Sequence, residues 1–182
     1  HDDGEGDDDE LGMSKLKISG EKRPHTGREQ IDKVFEEPDD WDERMRDADG
    51  HLIESARQVW DCYKKAVEHT PDDARLWSDF GSFAEAAYGS RGGDVASRAY
   101  AAALRTNPVE PHTLCNAARL MYKEHGEQDR AEYMLVLGLR EGGVDHVDTP
   151  RMLSQLALMR LMKDDPPKQS TLQLAESLLA LA

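Results

Sequence analysis

Residues 71–108 read PDDARLWSDFGSFAEAAYGSRGGDVASRAYAAALRTNP. Trp77 is followed three residues later by Phe80 and then by Gly81; beyond a break at Gly89–Gly93 come Ala96, Tyr100, Ala103 and Pro108. Two successive segments thus carry large rings and small residues at helical spacing. Gly81, Ala96 and Ala103 let two antiparallel helices approach closely, while Trp77, Phe80 and Tyr100 fill the space on either side. Proline closes the second segment because it cannot extend a helical hydrogen-bond ladder.

Outward from this stretch the pattern recurs. Tyr63-x-x-Ala66-x4-Pro71, Tyr100-x-x-Ala103-x4-Pro108 and Leu135-x-x-Gly138-x4-Gly143 follow one another at intervals of 37 and 35 residues. A two-helix unit repeated at that period predicts a helical solenoid. The arrangement resembles the tetratricopeptide repeat: Trp and Phe-Gly in a first helix, then Ala, an aromatic, Ala and Pro in a second. The likeness covers about residues 54–182; within it Asp94–Pro108, Leu114–His125 and Asp129-Arg130-Ala131-Glu132-Tyr133 also resemble plant-type proteins of this repeat class. It implies an all-α, right-handed superhelix of antiparallel helix pairs. In the second unit Leu114, Ala117 and Ala118 stand for Trp, Phe and Gly, with Ala131, Leu135 and Gly138 on its second helix. The third carries Leu153, Leu156 and Ala157, then Ala175 and Leu179.

Periodicity and punctuation predict helices over 53–69, 73–88, 94–106, 110–125, 127–140, 149–163 and 170–182. This gives a half-repeat at 53–71 and repeats at about 73–108, 110–143 and 149–182, within a domain of residues 51–182. Asp72 or Asp73 is the expected N-cap of the second helix, and Thr149-Pro150 the expected cap and first position of another. The last helix is apolar around much of its circumference. More chain, another protein or the N-terminal arm is expected to cover that end.

Residues 1–50 form an acidic, largely irregular arm, with 18 Asp or Glu against 8 Lys or Arg. Residues 51–182 hold 19 against 15, so most of the net charge of −14 sits on the arm. Such acidity argues against nucleic acid and anionic membranes as partners. No run of residues reaches the length a membrane span needs. Within the arm Ile31, Val34 and Phe35 form a short apolar face, and Trp41 stands among acids; Phe35 and Trp41 are candidate anchors, for a partner or for the repeat domain itself. Cys62 and Cys115 sit inside helical patterns and are expected to pack as reduced, small apolar residues, which suits a reducing compartment. The chain opens on His1 rather than methionine, so a processed or partial chain is expected.

Catalytic and metal chemistry finds little foothold. Asp47-x-Asp49-Gly50 imitates part of a calcium loop, but Met45 and Ala56 occupy the positions of two needed acids. Gly89-Ser90-Arg91-Gly92-Gly93 lacks the Lys-Ser/Thr of a phosphate loop and reads as a turn. The seven histidines fall at no spacing that puts two on one helix face. The expectation is a non-enzyme without cofactor or metal, whose partners are other proteins.

The resemblance places the first helix of each repeat along a concave groove. Helical spacing then assigns Arg75, Ser78, Asp79 and Ser82 to that groove, with His112, Asn116, Arg119 and Lys123 from the next unit and Arg151 and Gln155 from the third. Arg119, Lys123 and Arg151 would form a cationic strip suited to a carboxylate or an acidic segment. Members of the family that clamp the C-terminal carboxylates of chaperones use Lys, Arg and Asn on three first helices. Asn116 and Arg151 stand at matching places, but Ser78 and Ser82 replace the expected Lys and Asn. The reading is a scaffold or accessory subunit of a larger assembly. A peptide-recognition or cochaperone module is the alternative, and an RNA-associated organellar factor a more distant one.

Overall fold

The structure, a computed structural model, describes residues 27–36, 54–88, 92–163 and 166–182. These residues hold eight α-helices and no strand. They are α1 (Arg28–Val34), α2 (Glu54–His69), α3 (Ala74–Tyr88), α4 (Gly93–Thr106), α5 (Pro111–Leu120), α6 (Gln128–Gly142), α7 (Thr149–Lys163) and α8 (Gln169–Leu181). A π turn, Met121–His125, extends α5.

The helices begin and end for local reasons. Asp73 caps α3, its carboxylate accepting from the backbone N–H groups of Arg75 at 2.9 Å and Leu76 at 3.1 Å. Glu110, 37 residues on, does the same for α5 by accepting from the N–H of Thr113, and Pro111 follows at the first helical position. Gly126, with φ of 64°, reverses the chain between α5 and α6 in a backbone region that L side chains rarely adopt. Helix α7 begins at Thr149, whose hydroxyl donates to the Gly143 carbonyl at 2.7 Å instead of capping the helix. Asp148 takes the cap place, its carbonyl receiving the N–H of Met152.

Helices α3 and α4, α5 and α6, and α7 and α8 pack as neighbouring pairs. Helix α4 also touches α5, and α6 touches α7; the leading helices α3, α5 and α7 touch in turn. The centre of the first pair is aromatic, with Trp77 and Phe80 fully enclosed and Tyr100 at 2% exposure, and Trp60 of α2 packs against it, also at 2%. Gly81 makes the close approach possible. A Cβ there would sit 2.6 Å from Cε1 of Tyr100. In the next pair Ala118 is enclosed, and Gly138 faces the Met152 sulfur.

Part of the arm is ordered differently from the expectation of irregular chain. Residues 28–34 are helical, and α1 packs against α2 and α4. A helix of seven residues cannot hold itself in water. Here Ile31, Val34 and Phe35 share one face and are all buried, and the Phe35 ring stacks on Phe80 with centroids 4.3 Å apart. Trp60 meets the same ring edge-on at 5.5 Å. Burial of these three side chains, about 1.5–3 kcal/mol each, supplies what the short helix lacks.

Two further expectations need correction. Cys115 is buried, but Cys62 is exposed: on α2 it lies away from the face that packs through Trp60 and Val67. The end of α5 is a π turn, not a continuous α-helix. Helix α8 buries only Ala175 and leaves Leu174, Leu179 and Leu181 between 45% and 73% exposed.

Candidate functional site

The leading helices bring their polar stripes together. On α3, Ser78, Ser82 and Glu85 follow one another at helical spacing; on α5, His112, Asn116 and Arg119 do so. Asp148 and Arg151 come from the start of α7. The centre is Asn116, 2% exposed, whose amide nitrogen lies 3.3 Å from Ser78 Oγ, 3.1 Å from Ser82 Oγ and 3.1 Å from His112 Nε2. Its oxygen accepts from Arg151 Nη2 at 2.6 Å. One buried amide therefore joins three helices.

Carboxylates hold both ends of this ladder. Glu85 accepts from the Tyr100 hydroxyl at 2.7 Å and from Arg119 Nη2 at 2.6 Å, tying α3 to α4 and to α5. Asp148 lies 2.8 Å from His112 Nδ1 and 3.2 Å from Arg151 Nη2, tying α5 to α7. In its Nδ1–H tautomer His112 donates to Asp148 and leaves Nε2 as an acceptor beside the Asn116 amide. Asp79 stands 3.4 Å from His112 Nε2.

The environment also sets proton affinities. Burial pushes the Tyr100 phenol well above its ordinary value, and the Glu85 carboxylate adds to this. Burial disfavours the Arg119 charge, yet the hydrogen bond and charge of Glu85 outweigh it and hold the guanidinium more firmly protonated. Burial raises the Cys115 thiol, against the opposing hydrogen bond from Arg151 Nε at 3.2 Å. A thiol raised in this way is a poor nucleophile.

The residues expected to line a groove are therefore divided. Ser78 and Asn116 are buried and bonded inside the protein; Ser82 and His112 are largely enclosed in the same ladder. Gln155 faces Cys115, its oxygen 3.8 Å from the sulfur. Arg75 is exposed and Asp79 half-exposed. The cationic strip is already neutralised within the chain: Arg119 pairs with Glu85, Lys123 with Glu124, and Arg151 with Asp148. Phe35 is a core residue, seated on its own chain, and Trp41 lies outside the described residues, as does the Asp47–Gly50 segment.

Glu85, Tyr100 and Asp148 belong to the ladder and were absent from the expected groove. Two had a signal. Glu85 continues the stripe of Ser78 and Ser82, and Asp148 stands three residues before Arg151. Tyr100 had been assigned to packing alone. Its ring does pack on Gly81, but its hydroxyl reaches Ser82 and Glu85.

Among the described residues no cluster of three or more His, Cys, Asp or Glu could hold a metal ion, and no helix is long and apolar enough to cross a membrane. What the ladder can do chemically is fix the spacing of three helices and present paired charges along their shared face. Compared with protein-family models, curated proteins and solved structures, the chain matches none of them.

Proposed function

We propose that this chain is a non-catalytic, tetratricopeptide-like interaction scaffold, an accessory subunit whose hairpins form a right-handed superhelix and hold a segment of another protein. What supports this reading most is the seating of α1. Three side chains, Ile31, Val34 and Phe35, seat a seven-residue helix in a cleft between hairpin elements. The surface of this fold is thus suited to taking up short apolar helical segments. The polar ladder supplies the rigidity that a scaffold needs, since each leading helix is bonded to the next.

Internal pairing of Arg119 and Arg151 weighs against capture of an acidic tail, because an incoming carboxylate would have to displace Glu85 or Asp148. The net charge of −14 favours protein over nucleic acid as partner.

Crosslinking of the intact chain in native extract tests the reading. The expected result is a reproducible neighbour linked to two or more hairpins and lost on charge reversal at Arg75 and Lys123. Both are exposed and lie on leading-helix segments. A chain that is recovered alone, as a monomer crosslinked only to itself, overturns it.

A further inference from the structure

On the side of the molecule where α1 docks, the hairpins leave a second cleft. Its walls are α4 and α6 and its floor is the end of α5 with the π turn; Tyr100, Leu104, Ala117, Leu120, Met121 and Met134 line a cavity of about 290 Å³. The α1 cleft and this one share α4 as a wall, and Ala101 borders both.

The repeat explains why one cleft is filled and the other open. In the first, Phe35 packs against Trp60 of α2 and Phe80 of α3. A step of 37 residues carries Trp60 to Ser97, Phe80 to Ala117 and Tyr63 to Tyr100. Two large rings become two small side chains, and the space they would occupy is the cavity. Its lining is mostly apolar, so water gains few hydrogen bonds there.

We infer that the α4–α6 cleft is a docking site for an amphipathic helix of a partner protein, one that presents a bulky aromatic side chain and aliphatic residues one turn away. The chemistry follows from α1. Ile31, Val34 and Phe35 show the side-chain spacing that this fold accepts one layer earlier. The missing rings at 97 and 117 call for a larger aromatic than Phe35, which would meet Ala117 where it now stacks on Phe80. Arg130 and Glu127, paired at 3.2 Å on the rim, offer both signs of charge to the polar flank of such a helix. Apart from Tyr100, whose hydroxyl reaches the ladder, the residues that line the site lie outside the ladder, so it adds a second surface. This inference rests on the scaffold reading and names one of its partner chemistries.

The probe is a labelled synthetic helix of about 16 residues with Leu, Leu and Trp at positions i, i+3 and i+4. It is titrated into the intact chain by fluorescence anisotropy, with methyl resonances of the methionines followed in parallel. Binding is expected to shift the methyls of Met121 and Met134 and leave Met152 and Met159 unmoved. Refilling the cavity with Ser97→Trp and Ala117→Phe together should weaken binding about tenfold or more. Absence of binding up to about 1 mM, or methyl shifts confined to Met152 and Met159, overturns the site. Equal binding by a peptide copy of residues 27–36 overturns the choice of partner in favour of a second copy of this chain. The methyl shifts are read on the unmodified protein, so a poorly folded double variant leaves the test intact. Loss of the crosslinked neighbour on charge reversal at Arg75 and Lys123 with a silent cleft defeats this inference alone. Absence of any neighbour defeats the scaffold reading.

Discussion

The first hairpin, α3 with α4, and the second, α5 with α6, follow one plan with different fillings. Around the first, Trp60, Trp77, Phe80 and Tyr100 are enclosed, and Phe35 is added from outside. Around the second, Leu114, Ala117 and Leu135 take the interior, and an open cavity remains beside Ala117. Yet both hairpins have a carboxylate cap on the leading helix and an enclosed small residue, Gly81 or Ala118, at the equivalent position of that helix. The plan is therefore carried by caps, breaks and small residues. The rings decide how completely each layer is filled.

The strongest way to break that comparison is to remove a ring. Phe80→Ala should cost about 3–5 kcal/mol in chemical denaturation, because it strips partners from Phe35 and Trp60 together, whereas Leu114→Ala should cost about 2–3 kcal/mol. Equal losses would mean that the aromatic layer has no special weight. Next comes the close approach. Gly81→Ala places a methyl group 2.6 Å from the Tyr100 ring, and a loss of about 2 kcal/mol is expected. Gly138→Ala should cost less, since the atom in its way is the flexible Met152 sulfur. Thermal melts of the two variants compare them directly.

Removing a polar clasp should have a smaller effect. Glu85→Ala loses the acceptor for Tyr100 and Arg119; Arg119 is 40% exposed and regains water, so about 1–2 kcal/mol is expected. Glu85→Gln should recover part of it. The smallest test touches no stability at all. Native chain treated with a thiol reagent near pH 8 should label Cys62 quickly, and Cys115 only after unfolding. Burial raises the Cys115 thiol, so it holds less thiolate at that pH as well as being covered. Equal labelling would show that the α5–α7 contact opens readily.

Much of the fold was legible because its signals are local. Pro71, Pro108 and Gly143 punctuate the chain, and Asp73 and Thr149 mark helix starts to within a residue. Gly81 revealed its close approach to the second segment through its spacing alone. The polar ladder was only half readable. Helical spacing put Ser78, Asn116 and Arg119 on one face, but it could not say that Arg119 would find Glu85, a residue 34 positions away. Choice of partner across hairpins depends on their packing, which no local pattern records. The fate of Phe35 was open for the same reason: its stripe announces an apolar face, and only the cleft between α2 and α4 says where that face goes.

At Met121–His125 the chain stores a surplus residue in a widened turn. A helix that carries such an excess can also shed it. Excision of Lys123, whose side chain is 59% exposed, is predicted to close the segment as an ordinary helical turn ahead of Gly126. The seam between α5 and α6 is thus a place where the length of this protein is negotiable by a single amino acid.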